Sequence, residues 1–388
     1  MKRIRSAICI DATPLDQQVR ARGIGSYVRT LLEGIRRTQT DLPLLYLRVW
    51  EDNTGPADEI GLPVAQIQER FRWLWSALFL KRHLDKHPVA LFHSTNPINI
   101  PRSRHFRTIA TVYDLVPTLY YDEYLKGKPN TRASYLCGIS RLKHVDHLIA
   151  ISQQTKADCV RLLKIPEEKI SVIPLGIDQT VFTRVTDPRR LADVRSRCGL
   201  PDRFFLYVGG MDPRKNLAQL VDAYAAIAPT IRDSLVLVGP WSSADTAQLT
   251  AIAERSRIGH RLHILSNVPV DDLVTLYSMA TSLLFPSLYE GFGLPVVEAY
   301  SCRTAVLCSK TSSLAEIGEG AALLVDPESR EEISRGIRAL STDENLRRTL
   351  EASGFARSGE YSNTTMAERT LNLYESVLQA AKPGSNCS

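Results

Sequence analysis

At 388 residues the chain is longer than one hydrophobic core usually fills, so two domains of ordinary size are expected. With 44% hydrophobic and 23% charged residues the composition is that of a globular protein, and no run nears the roughly 18 apolar residues of a spanning helix, the longest being WLWSALFL at residues 73–80. The net charge of +6 is uneven, with 26 Lys and Arg against 18 Asp and Glu in residues 1–183 and 22 against 24 afterwards; the first half would attract anions, while scattered cations without a binding motif argue against nucleic acid.

The opening MKRIRSAICIDATP meets Asp11 too early for a signal peptide and reads as a first strand, SAICID. In ARGIGSYVRTLLEGI, Gly23 and Gly25 open a helix whose backbone N–H groups could approach a phosphate; Val28 stands where a dinucleotide fingerprint needs its third glycine, so a plain tight turn fits equally well. LLYLRVW follows as a strand. RFRWLWSALFLKRHLDK, residues 70–86, reads either as a helix on anionic lipid, with Trp73 and Trp75 at the interface and Lys81 and Arg82 on headgroups, or as a helix packed on the sheet. The second reading is favoured because its apolar positions surround the helix.

VALFHST, TIATVYD, HLIAIS and ISVIPLG complete the strands of the first half. The loop TVYDLVP offers Tyr113 and Asp114, and Asp114 suits the capping of a turn before Pro117. The charged stretch QTVFTRVTDPRRLADVRSRCGLPDR lacks a strand pattern and marks the domain boundary near 184–200. The second strand series is FFLYVGG, SLVLVG, RLHILS, SLLFPS, AVLCSK and ALLVDP. Alternation of such strands with helices predicts an α/β fold of two doubly wound parallel sheets facing a cleft, with ligands at the carboxyl ends of the strands.

Two loops in the second half carry the most chemistry. VGGMDPRKNL places Arg214 and Lys215 beside a helix start, which suits a diphosphate or, more plainly, a solvated loop. In SLYEGFGLPVVEA, Pro295 suits a first helical turn, so the amides of Gly293 and Leu294 can face a ligand bracketed by Glu290 and Glu298. A carboxylate on each side of a phosphate site matches sugar, diphosphate and ribose in that order; the plain alternative is a capping glutamate plus an exposed helix residue. The seven cysteines form no CxxC pair, and the histidines form no HExxH, so neither a disulfide framework nor a metal centre is expected, and the thiols suit a cytosolic protein.

Taken together, Glu290-x7-Glu298 around GFGLP, the VGGMDPRKNL loop, ISVIPLGID and HLIAISQQTKADCV resemble the family 4 glycosyltransferases, with motifs in order from residue 8 to about 327. The resemblance implies a GT-B fold of two Rossmann-like domains: residues 1–183 with a returning C-terminal helix (364–388) on the acceptor side, and residues 184–363 binding the donor. It also implies a retaining, metal-independent hexosyl transfer from a nucleotide diphosphate sugar, and the chain contains no Asp-x-Asp. By the same resemblance, Glu290 holds donor sugar hydroxyls and Glu298 the ribose. Gly291, Phe292, Gly293 and Leu294 face phosphates and sugar, Arg214 and Lys215 meet the diphosphate, and Gly23 and Gly25 form the first domain's wall. Tyr113 and Asp114 are catalytic-loop candidates. Two departures are visible: Gly210 where many members carry arginine, and Tyr113 where many carry histidine.

The PRKN and YDLVP loops most resemble mannosyltransferases of surface polysaccharide assembly, which favours GDP-mannose over UDP-sugars. The expected acceptor is a lipid-linked glycan, met by a cytosolic enzyme visiting the inner membrane face. A UDP-GlcNAc 2-epimerase-like isomerase is the alternative from another reaction class, and a non-catalytic nucleotide-sugar-binding protein a third. Residues 364–381 read as a helix and KPGSNCS as a disordered tail.

Overall fold

The computed structural model describes residues 6–16, 23–49, 59–62, 79–97, 100–101, 103 and 105–380. It forms two compact units, Met1–Gly176 with Asn363–Ser388, and Ile177–Ser362. The first holds a seven-stranded parallel sheet in the order β3-β2-β1-β4-β5-β6-β7. Its strands are β1 Ala7–Asp11, β2 Leu44–Val49, β3 Glu59–Leu62, β4 Val89–Ser94, β5 Arg107–Val112, β6 His147–Ala150 and β7 Ile170–Val172. Each quoted strand motif of the first half overlaps one of these. Only β3, a short edge strand in register with β2 from Tyr46↔Glu59 to Val49↔Leu62, was not expected.

The second unit holds a six-stranded parallel sheet ordered β10-β9-β8-β11-β12-β13. These are β8 Phe204–Val208, β9 Ser234–Gly239, β10 Leu262–Ser266, β11 Ser282–Phe285, β12 Val306–Ser309 and β13 Leu323–Val325. β9, β11 and β12 are buried along their whole length, as parallel strands covered by helices on both faces must be. That explains why they read as continuous apolar runs instead of alternating ones. Phe205, Tyr207, Leu237, Leu284 and Leu307 of the sheet pack with Leu220, Tyr224, Ile333 and Ile337 of the helices Leu217–Ile227 and Arg330–Thr342 in one core.

The change of unit falls at Gly176/Ile177, before the charged stretch expected to contain it. Ile177 pairs with Ser362 and donates its N–H to Tyr361 O, so the outgoing and returning segments are joined inside the second unit. The charged stretch itself folds as the helix Pro188–Arg197, capped by Asp187, and Arg190 and Arg197 both donate to Asp272 at 2.7 and 2.8 Å. It is therefore part of the second unit and not a linker. The last helix, Asn363–Gln379, packs on the helix Ile24–Thr38 of the first unit.

Of the aromatic-basic segment 70–86, residues 70–78, with Trp73 and Trp75, lie outside the described residues. Leu80 and Leu84 are fully buried with Phe92 and Phe106, whereas Phe79 is half exposed. The tail 382–388 also lies outside them. No helix among the described residues is long and apolar enough to cross a membrane.

Candidate active site

In each sheet the strand order reverses beside the first strand of its series, between β1 and β4 and between β8 and β11. The loops leaving β8 and β11 thus open on either side of one crevice, where doubly wound sheets bind ligands. Arg214 and Lys215 come from the first loop and Glu290 from the second. Asp212 caps the short 3-10 turn Pro213–Lys215, accepting the Arg214 N–H at 3.1 Å. Asn216, with φ 59, ends that turn and donates its side-chain amide to Pro286 O and Pro327 O, while Leu288 N–H donates to Arg214 O at 2.7 Å. These bonds stitch the β8 loop to the β11 loop.

The stitching brings Arg214 Nη1 to 2.7 Å from Glu290 Oε2 and Lys215 Nζ to 2.6 Å from Glu290 Oε1. Arg214 Nε also donates to Asp212 Oδ2 at 3.2 Å, so two cations and two carboxylates balance in formal charge. Burial opposes ionisation of Glu290, which is 6% exposed, but the charges of Lys215 and Arg214 and their hydrogen bonds outweigh it and hold the carboxyl below the usual range. The Glu290 backbone is fixed as well: its N–H donates to Ser312 Oγ at 3.1 Å, and Ser313 Oγ donates to its carbonyl at 2.8 Å. Ser312 itself has φ 53, a left-handed geometry uncommon for serine.

The helix Leu294–Ser301 starts where expected, with Pro295 in its first turn and no side-chain cap. Gly293 precedes it at φ 137, a conformation that side-chain-bearing residues rarely adopt, and a Cβ there would lie 2.7 Å from Leu314 Cδ2. Phe292 is buried edge-to-face on Tyr361, with centroids 5.7 Å apart. Glu298, half-buried one turn into this helix, accepts the Tyr277 hydroxyl on Oε2 at 2.8 Å. Burial, then the neighbouring Glu298 charge, pushes the Tyr277 phenol well above its ordinary value, so it remains a donor to that carboxylate.

In the first unit Gly23, exposed at φ 67, precedes the helix Ile24–Thr38, and Gly25 is buried in its first turn. No side chain caps this start. Tyr113 donates its hydroxyl to Thr95 O at 2.8 Å and stacks edge-to-face on Tyr27. A phenol has one hydrogen to give. In this structure that hydrogen goes to Thr95 O, which leaves the Tyr113 oxygen its lone pairs. Asp114 Oδ1 accepts the Val116 N–H at 3.0 Å, the turn-capping bond that Asp before a tight turn makes. Sequence reading missed Asp212, Asn216, Tyr277, Ser312 and Ser313. Only Asp212-Pro213 carries a local signal, that of a turn start. Among the described residues no three His, Cys, Asp or Glu cluster as metal ligands would.

The family model for glycosyl transferases group 1 matches residues 195–357, and the model for Glycosyltransferase Family 4 matches residues 21–181. Fold and matched domains define the class that the chain resembles: it has the GT-B fold, and each of its two halves matches a glycosyltransferase family model. Its relatives include the serotype-specific mannosyltransferase WbdA of Escherichia coli, 27% identical over 307 residues that make up 78% of this chain and 37% of WbdA. The O-antigen chain mannosyltransferase B of Escherichia coli is 31% identical over 231 residues, 59% of this chain and 60% of that one. The chain therefore resembles mannosyltransferases, while spanning a little over a third of WbdA, 37% of its length. The solved structure of a sucrose-phosphate synthase from Thermosynechococcus elongatus superposes with a TM-score of 0.77 at 23% identity, covering 97% of this chain and 100% of that chain.

Proposed function

We propose that the chain transfers mannose from GDP-mannose to a sugar hydroxyl of a lipid-linked glycan, with retention at the anomeric carbon, without a metal ion, at the cytoplasmic membrane face. The observation that carries the reading is the buried Glu290 held between Arg214 and Lys215 at the β8/β11 switch point, beside a helix start without a side-chain cap. The amides around Gly293, together with the donor hydrogens that Arg214 and Lys215 keep beyond their ion pairs, bind the departing diphosphate and so take the place of a metal. The ion pairs hold both cations at the crevice before the donor arrives; the diphosphate then draws on their remaining donor hydrogens.

Glu290 accepts from sugar hydroxyls and Glu298 from the ribose, so the residues position the donor and need no enzyme nucleophile. Asp114 orients hydroxyls from the first unit, Tyr113 accepts, and Gly23 and Gly25 face the phosphates. The names of the two Escherichia coli relatives favour mannose. Attack on the same face, guided by the donor's own phosphate, gives retention.

The test is transfer of labelled mannose from GDP-mannose to a lipid-linked saccharide in the presence of EDTA, with the product's anomeric configuration read by NMR. An α-mannoside formed at the same rate with and without EDTA is expected. A β-product, or loss of transfer on chelation, would contradict the mechanism. Transfer from UDP-sugars alone would contradict the donor assignment.

A further inference from the structure

Four buried polar side chains outside the Glu290 cluster form one hydrogen-bonded chain in the first unit. Tyr374 Oη, on the returning helix Asn363–Gln379, lies 2.6 Å from His93 Nδ1 at the end of β4. His93 Nε2 lies 2.8 Å from Thr111 Oγ1 on β5, and that hydroxyl lies 3.0 Å from Tyr27 Oη on the helix Ile24–Thr38. His93, Thr111 and Tyr374 are fully buried and Tyr27 is 5% exposed. Tyr27 stands one turn inside its helix, and its own N–H donates to Gly23 O at 3.2 Å. At the other end of the two helices, a Cβ on Gly34 would lie 2.2 Å from Asn363 O, so their backbones meet there directly. The helix bearing Gly23 and Gly25 is thus held at one end by backbone contact and at the other by this chain.

The chain has a direction. Burial drives the His93 pKa down to about 3, so the ring is neutral at working pH and carries one N–H and one lone pair. If Tyr374 donates to Nδ1, then Nε2–H donates to Thr111, whose hydroxyl can donate to Tyr27; in the other tautomer Nδ1–H donates to Tyr374 and Thr111 to Nε2, so Tyr27 donates to Thr111. Either way the Thr111 hydroxyl is the joint that both neighbours require, and bonds linked in series polarise one another.

We propose that Thr111, His93 and Tyr374 are positioning residues for donor binding, acting through Tyr27 to set the orientation of the Gly23–Gly25 helix start. The inference rests on the proposed reading of Gly23 and Gly25 as phosphate-facing. A simple packing role would require only shape; this role requires the hydroxyl hydrogens. The ring of Tyr27 is seated on Tyr113, with centroids 5.3 Å apart, so removing its hydroxyl leaves packing in place.

The experiment compares wild type with Tyr27→Phe, Thr111→Val and Thr111→Ser, measuring donor KM, acceptor KM, kcat, GDP affinity by calorimetry and Tm. Tyr27→Phe and Thr111→Val are expected to raise donor KM and GDP Kd about five- to tenfold, with acceptor KM unchanged, and Thr111→Ser to restore both. Donor KM and GDP affinity at wild-type values in folded Tyr27→Phe would overturn the inference, even if Tm fell. Should Thr111→Val fail to fold, Tyr27→Phe decides alone. A wild type that binds no nucleotide diphosphate would overturn the proposed function first, and this inference with it.

Discussion

Glu290 gives each carboxylate oxygen to a cation that stands 75 or 76 positions earlier in the chain, and this sets its response to substitution and to pH. Its pKa is lower folded than unfolded, so the stability it contributes is complete above the unfolded value of about 4.3 and is lost as pH falls through the folded value. Glu290→Gln leaves two partly buried cations short of a charged partner, which should cost about 2–4 kcal/mol at pH 7. The Tm gap between wild type and Glu290→Gln should narrow below about pH 4.3, because protonation then removes the same charge from the wild type. In steady-state kinetics at pH 7 the variant should lose about ten- to hundredfold in kcat with donor KM little changed. A Tm gap that widens in acid would refute the electrostatic account. The strings EGFGLPVVE and MDPRKN made Glu290, Arg214 and Lys215 legible as candidates. Their pairing was not, because it depends on β8 and β11 being neighbours although long segments separate them. Tyr277 and Ser312, which hold Glu298 and the Glu290 backbone, leave no local pattern at all.

At the scale of elements, hydrophobic runs bounded by Gly, Pro and Asp made the other described strands legible, most plainly β9, β11 and β12, which are buried along their whole length and so apolar nearly throughout. β3 was missed: EIGL is four residues long, polar at its start, and set at a sheet edge where continuous apolar sequence is not demanded. Helix starts were legible where a special residue is needed, and Gly293 is the sharpest case. Gly293→Ala forces a side chain into φ 137 and onto Leu314, which should destabilise by about 1–3 kcal/mol. Since the strain falls at the start of the helix Leu294–Ser301, turnover should drop by more than Tm implies. Thermal denaturation and kinetics on the same preparation measure both, and an unchanged kcat in folded variant would count against a ligand-facing role for these amides.

At the scale of the molecule, the division into two sheets followed from length and strand alternation, whereas the point of division did not. Charge and proline marked residues 184–200 as the boundary, but the helix Pro188–Arg197 is tied by two arginines to Asp272, a partner too distant in sequence to foresee. The central claim is that the second unit holds a nucleotide diphosphate sugar between Glu290, Arg214, Lys215 and Glu298. Thermal shift of wild type and Glu298→Gln against GDP, GDP-mannose and UDP-glucose, without divalent metal, tests it most directly. The account expects GDP and GDP-mannose to raise the wild-type Tm in a saturable way. It expects Glu298→Gln, which keeps an acceptor for Tyr277, to bind them about tenfold more weakly through its poorer grip on the ribose. A wild type whose Tm no nucleotide or nucleotide sugar moves would contradict it.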